Sequence, residues 1–305
     1  PVLHDMEYRG VLVDEQAASE TLVAIDQAIA TAHGQVFQLG MPEEVSIGST
    51  DQLARALEKM GAPIKDRTKS KGLLKTDEEH LLEAKAAGWM PALVDAILFF
   101  KGLRKLRGYA QSYLDLRGPD GRLHPDFVQS GYGEETSDET SSAPFTGRFG
   151  CRGPNLQNQP KNDPRYEGWI HRLRDCLVTA PEWSLISADV EQEEPRIMAF
   201  INKDRAMLAD FLAGISIYAP MGQIIYGRPI SKSADPSQWY NTKTFFLALC
   251  YGADYKKLHE IDPSIPLEQA KEGYTRLMAR YPGLIQHYRS TVTQLRATGQ
   301  VRDWV

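Results

Sequence analysis

Between Glu15 and His33 the apolar residues Leu22, Ile25 and Ile29 recur at intervals of three and four, and the pattern stops at Gly34. That spacing predicts an amphipathic helix closed by the glycine. Ser49 with Gln52 three residues on predicts the start of a second helix, ending at Gly61 and Pro63, and Thr76 with Glu79 the start of a third. The intervening residues 65–72, Lys-Asp-Arg-Thr-Lys-Ser-Lys-Gly, form a basic polar run at the apparent tip of a helical hairpin. Such a run serves either as a solvated loop or as a grip on phosphates. Lys101, Arg104, Lys105 and Arg107 interleave with Leu103, Leu106, Tyr109 and Tyr113, a density of cations that on a helix usually just faces solvent. Residues 123–129 and 183–190 change toward short strands, with loops rich in Gly, Ser and Thr between them. From Asn202 the pattern is helical again. Leu267, Ala270, Tyr274, Leu277 and Tyr281 share one face, Pro282-Gly283 breaks it, and a last helix is predicted over 284–297.

At 305 residues and 42% hydrophobic the chain can bury a large core, in about two domains. A formal charge of −5 argues against coating nucleic acid by bulk electrostatics, while leaving room for a local basic groove. Cys151, Cys176 and Cys250 are odd in number and far apart, and the seven His do not cluster with them, so reduced thiols of a cytoplasmic protein are expected and no structural zinc. No apolar run approaches the roughly 20 residues of a membrane span. Pro1 opens without a basic-then-apolar leader, which gives the expectation of a piece cut from a longer protein.

Three segments carry candidate chemistry. Residues 183–189 read as a buried strand that delivers Asp189 at its end, turning at once into a helix near Gln192. A carboxylate so placed suits a divalent metal in phosphoryl transfer, or merely caps the helix. Trp239, Lys243, Leu247 and Tyr251, spaced by four, share one helical stripe, with Phe245 and Leu249 on another. One face can then offer a cation and an aromatic to a nucleotide while the other packs; a plain amphipathic helix with a snorkelling lysine has the same pattern. Thr146-Gly147-Arg148, with Asn155, Gln157 and Asn158, supplies side chains that donate to minor-groove acceptors, where correct base pairs look alike.

In this order and at these intervals, Thr146-Gly147-Arg148 with the heptad 154–160, then 189–196, then 239–252 resemble the primer-template motif, motif A and motif B of family A (DNA polymerase I-like) DNA polymerases, and the similarity runs over 2–305. The resemblance implies an α+β right-hand architecture: a lead-in segment over 1–15, a helical thumb over 16–120, a partial mixed palm over 121–200 and helical fingers over 201–305. It implies template-directed addition of deoxynucleoside triphosphates to a primer 3′-hydroxyl in DNA replication, with two Mg2+ ions. By that analogy Asp189 ligates metal, Gln192 and Glu194 stand at the nucleotide with Glu194 beneath its sugar, Lys243 grips the triphosphate, and Leu247 and Tyr251 border the base. Arg148, Asn155, Gln157 and Asn158, with Lys69, Lys71, Lys105 and Arg107, would contact DNA.

The chain also departs from the family pattern. Glu191, Glu193 and Pro195 replace small or apolar residues of motif A, and Ser216, before Ile217-Tyr218, stands where relatives often carry Asp. Trp239 stands where the usual Arg lies, leaving the second phosphate cation to Lys232 or Arg228, and Leu247 is a variant associated with viral members. The motif C turn, with the second metal carboxylate, is missing. His4-Asp5-Met6-Glu7 resembles it only superficially, since it precedes motif A. The resulting expectation is a fragment, viral or bacteriophage in origin, inactive alone, monomeric, without membrane attachment, and cytoplasmic or in the host cytoplasm. The competing reading is a noncatalytic primer-template-binding module; a single-subunit RNA polymerase relative is disfavoured by Glu194 and the heptad.

Overall fold

The computed structural model describes residues 2–129, 148–160 and 163–300, so Thr146 and Gly147 lie outside the described residues. The chain divides into two compact units, 1–186 and 187–305. The first runs α1 (Val2–Arg9), β1 (Val11–Val13), α2 (Glu15–Gln38), α3 (Thr50–Lys59), α4 (Glu78–Ala86), α5 (Pro91–Asp115), β2 (Arg122–Leu123), β3 (Asp126–Val128), β4 (Gly150–Arg152), α6 (Glu167–Asp175) and β5 (Leu177–Val178). The second runs α7 (Glu193–Ile201), α8 (Arg205–Leu212), α9 (Tyr218–Tyr226), α10 (Pro236–Cys250), α11 (Tyr255–Ile261), α12 (Leu267–Arg280) and α13 (Pro282–Thr298).

In the first unit the long helices α2 and α5 pack along each other and join two apolar clusters. Leu93, Val94, Ile97, Leu98, Phe100 and Leu103 of α5 enter one cluster, and Leu106, Ala110 and Tyr113 the other. The sheets are small and antiparallel: β1 lies between β2 and β5, and β3 pairs with β4. The change toward strands expected at 123–129 therefore appears as β2 and β3. In the second unit Phe245 and Phe246 of α10, Met221 and Ile225 of α9, and Leu277 of α12 form one core. Pro282 separates α12 from α13, as the sequence pattern predicts.

Three expectations are corrected. The first helix does not stop at Gly34 but runs to Gln38, because Val36 and Phe37 continue its apolar face and Val36 is fully buried. One glycine interior to a helix costs only about 1 kcal/mol, less than such burial returns. The third helix is capped by Asp77, not Thr76: the Asp77 carboxylate accepts from the His80 amide at 3.2 Å, while the Thr76 hydroxyl is buried without a hydrogen-bond partner. Finally, residues 183–190 are neither strand nor buried. Trp183 (73%), Leu185 (71%), Ile186 (90%) and Val190 (63%) stand exposed. A strand exists only through a partner's ladder, and none of the described strands pairs with this stretch. The helix expected near Gln192 does form, as α7.

Candidate nucleic-acid and nucleotide sites

In the first unit the heptad 154–160 is built as a tight loop fastened to α5. The Asn155 carbonyl oxygen Oδ1 accepts from the amides of Gln157 and Asn158, both at 3.1 Å, closing a single 3₁₀ turn. Tyr109 donates its hydroxyl to the Asn158 carbonyl at 2.5 Å, Tyr113 donates to the Gln159 side chain, and Arg174 donates to the Pro160 carbonyl at 2.9 Å. Burial pushes the Tyr113 phenol far up, so it remains a donor. A cleft of about 830 Å³ opens between loop and helix, lined among others by Lys101, Lys105, Tyr109, Gln157, Asn158 and Arg165. The expected contacts Gln157, Asn158 and Lys105 are thus brought to one cleft, with Asn155 holding the turn; Arg148 is exposed just before β4.

Sequence reasoning missed one cation of this cleft, Arg165, and named the other, Lys101, only among the cations of its helix. Arg165 is neutralised locally, by Asp163 at 2.7 Å and Glu78 at 2.6 Å. Lys101 donates to the Thr76 carbonyl, and burial lowers its pKa. An isolated Arg after Pro164 and a Lys on a helix already rich in cations give no distinguishing sequence signal.

The basic run 65–72 is a short hairpin, closed by hydrogen bonds from the Thr68 amide to the Leu73 carbonyl and from the Lys75 amide to the Asp66 carbonyl. Lys69 is exposed and has no partner among the described residues, but Lys71 pairs with Asp51 at 2.6 Å. Arg107 likewise pairs with Asp26 at 2.6 Å. Both pairs are solvent-exposed and each is worth about 0.2–1 kcal/mol, so a phosphate can displace the carboxylate. His80 ties the hairpin to α4. Its Nδ1 lies 2.5 Å from Asp77 and its Nε2 3.2 Å from Asp66. Those hydrogen bonds raise the His80 pKa and lower both carboxylates. Asp77, Glu79 and His80 have ligand atoms mutually within 4.8 Å, yet Asp77 caps the helix and both His80 nitrogens already face carboxylates. This cluster therefore does not fit the expected polymerase metal site, which the sequence places at Asp189.

In the second unit Asp189 is exposed, with no partner among the described residues, three residues before the cap of α7. Gln192 is that cap, in a left-handed conformation at φ 54°. Its Oε1 accepts from both the Ser216 hydroxyl and the Ile217 amide at 3.0 Å. An amide N–H only donates, which fixes the orientation of the Gln192 side chain. Arg196 donates to the Glu191 carbonyl at 2.8 Å and lies over the Phe211 ring. Glu194 lies on the exposed side of α7, and its charge reaches Tyr218 and Cys250. Burial first, and Glu194 second, push both groups up to about 12, leaving the Cys250 thiol protonated and inert.

Helix α10 divides as its stripes predict. Thr242, Phe245, Phe246 and Leu249 are buried, Lys243 is exposed without a partner among the described residues, and Tyr251 is 84% exposed at the helix end. Leu247 is partly buried against the core. Trp239 packs edge-on to Tyr218, ring centres 5.8 Å apart. Of the two substitute cations, Arg228 is bound to Asp235 at 2.7 Å, whereas Lys232 is exposed and has no partner among the described residues.

The sequence model of DNA polymerase family A matches residues 15–305, nearly the whole chain. The chain belongs to DNA polymerase family A. Among curated family members it is 28% identical to the thermostable DNA polymerase I of Thermus aquaticus over 304 residues, covering 98% of this chain and 34% of that protein. DNA polymerase I of Caldicellulosiruptor bescii is 30% identical over 306 residues, covering 99% of this chain and 33% of its own length. The chain thus spans about a third of these curated relatives. Among solved structures, the POL domain of Pol1 from M. smegmatis, in complex with DNA primer-template and dNTP, superimposes with a TM-score of 0.82 at 24% identity. That match covers 99% of this chain and 50% of the other, and it places the two in one fold. Among the described residues no helix is long and apolar enough to cross a membrane.

Proposed function

We propose that this chain is the part of a template-directed DNA polymerase that holds primer-template and captures the incoming deoxynucleotide, for DNA replication. The observation that carries this reading is α10: a family-matched helix seated by Phe245, Phe246 and Leu249, with Lys243 and Tyr251 left facing outward. Lys243 supplies a cation for the triphosphate, Tyr251 and Leu247 border the base, Glu194 stands at the sugar, and Gln192 holds the start of α7. On the DNA side, Arg148, Asn155, Gln157 and Asn158 follow the minor groove, and Lys69, Lys71, Lys105 and Arg107 the phosphates. In right-hand terms the lead-in is 1–15, the thumb 16–120, the palm 121–200 and the fingers 201–305. Leu247 favours a viral origin.

An exposed carboxylate just before a helix is a chemically suitable Mg2+ ligand, and Asp189 is one. Bound Mg2+ would neutralise the attacking 3′-oxygen and the leaving pyrophosphate. The contribution of this chain to that pair of ions is one carboxylate, since no motif C turn follows motif B within these 305 residues. A second reading, a noncatalytic primer-template-binding module, is favoured by Trp239 and Arg228, both engaged with neighbours instead of facing a triphosphate.

Primer extension and primer-template binding, measured on the same preparation of the chain, test the proposal. Binding with very poor extension is expected, and rescue of extension when a segment carrying the second carboxylate is supplied. Absent binding refutes the polymerase reading. Binding without rescue favours the module, and robust Mg2+-dependent extension by the chain alone refutes the need for a second carboxylate.

A further inference from the structure

Helix α10 ends in a Schellman turn. Ala253 donates to the Ala248 carbonyl at 3.0 Å and Gly252 to the Leu249 carbonyl at 2.9 Å, with Gly252 left-handed at φ +85°. Turn geometry alone explains the glycine's backbone but not its surroundings. A Cβ on Gly252 would lie 2.5 Å from Cε2, 2.6 Å from Cζ and 2.8 Å from the hydroxyl of Tyr288 on α13. The outer end of the Tyr288 ring therefore rests directly against the turn backbone. The residue immediately before the contact is Tyr251, 84% exposed and with no side-chain hydrogen bond or ring contact among the described residues.

We propose that Tyr288 is a positioning residue for Tyr251: its ring is a backstop behind the turn that sets where Tyr251 stands at the base-pairing site. The inference rests on the assignment of Tyr251 above, and it gives α13 a part in base selection without contact to substrate. A ring in van der Waals contact with a backbone leaves that backbone one side on which to move. Removing the ring frees the turn toward α13, and Tyr251 moves with it. Tyr288→Phe retains Cε2 and Cζ, the two closest atoms, so the backstop survives loss of the hydroxyl.

Three measurements test this. In the 305-residue chain, chymotrypsin cleavage after Tyr251 is followed by mass spectrometry. Tyr288→Ala is expected to speed it at least about 5-fold, with Tyr288→Phe at the unmodified rate. A thermal melt identifies any variant that has lost its fold. A paired control uses Gly252→Ala, which should lower the melting temperature less when combined with Tyr288→Ala than alone, because one of its two penalties has gone. Equal cleavage rates in all three proteins, or strictly additive melting shifts, overturn the backstop. In an extension-competent enzyme containing the chain, the ratio of matched to mismatched kcat/KM is expected to fall about 10-fold in Tyr288→Ala and to hold in Tyr288→Phe. Faster cleavage with an unchanged ratio overturns the placement of Tyr251 at the templating base and leaves only a contact within the turn.

Discussion

Salt dependence of primer-template binding offers a test whose size follows from the ion pairs of the first unit. Of the four cations assigned to phosphates, Lys69 and Lys105 have no partner among the described residues, while Lys71 and Arg107 hold Asp51 and Asp26. Each phosphate neutralised on duplex DNA contributes about −0.9 to the slope of log K against log salt. Two free cations give a slope of about −1.8, and all four, after exchanging carboxylate for phosphate, about −3.6. Between about 50 and 200 mM salt those slopes correspond to affinity losses of roughly 12-fold and 150-fold. Because the exposed pairs are weak, exchange is expected and the slope should lie near the steeper value. Fluorescence anisotropy of a labelled primer-template, titrated at several KCl concentrations, gives the slope. Lys69→Ala should flatten it by about 0.9, and Lys71→Ala likewise if the exchange occurs. Asp51→Asn should tighten binding while leaving the slope near its full value. A slope near zero, or one indifferent to Lys69 and Lys105, refutes the phosphate assignment. A slope that stays near −1.8 and is indifferent to Lys71 shows that the ion pairs persist on DNA.

Other consequences follow from the second unit and the hairpin. In an extension-competent enzyme containing the chain, Asp189→Asn should lower turnover by at least about 10² to 10³-fold with primer-template affinity unchanged, as single-turnover kinetics and anisotropy will show. Near-normal turnover would leave Asp189 a structural residue. Glu194→Ala should raise ribonucleotide relative to deoxynucleotide incorporation about 10-fold or more, a loss of roughly 1.4 kcal/mol of discrimination, and an unchanged ratio would move the gate to Glu193 or Glu191. The raised His80 pKa means that its contribution to stability is complete below its ordinary value near 6.5 and is lost as pH rises through the folded-state value. Amide exchange of Thr68 and Lys75, corrected for intrinsic base catalysis, should therefore accelerate over that range and become pH-independent in His80→Gln.

The sequence disclosed what is periodic and local. The inward face of α10, the helix start at Gln192 and the break at Pro282 all follow from spacing within a dozen residues. It misled where two local rules competed. Gly34 could stop a helix, but the following apolar residues decided otherwise, and of the adjacent cap-type residues Thr76 and Asp77 the carboxylate took the cap. The change of pattern at 183–190 promised a buried strand, but a strand is made by its partner's hydrogen bonds. The pairing of Arg107 with Asp26, 81 positions away, and the Tyr218 contact to Trp239 are products of packing between elements and leave no mark in local sequence.

The exposed stretch at 183–190 bears on how the isolated chain behaves in a tube. Trp183, Leu185, Ile186 and Val190 present apolar side chains to water on a backbone without a ladder among the described residues, which is the combination that invites one chain to add itself to another. Concentration becomes a variable in its own right: light scattering should rise as the preparation is concentrated, and a charged residue introduced at Ile186 should suppress the rise. A colloidal property of the preparation would then be traced to a single unpaired octapeptide.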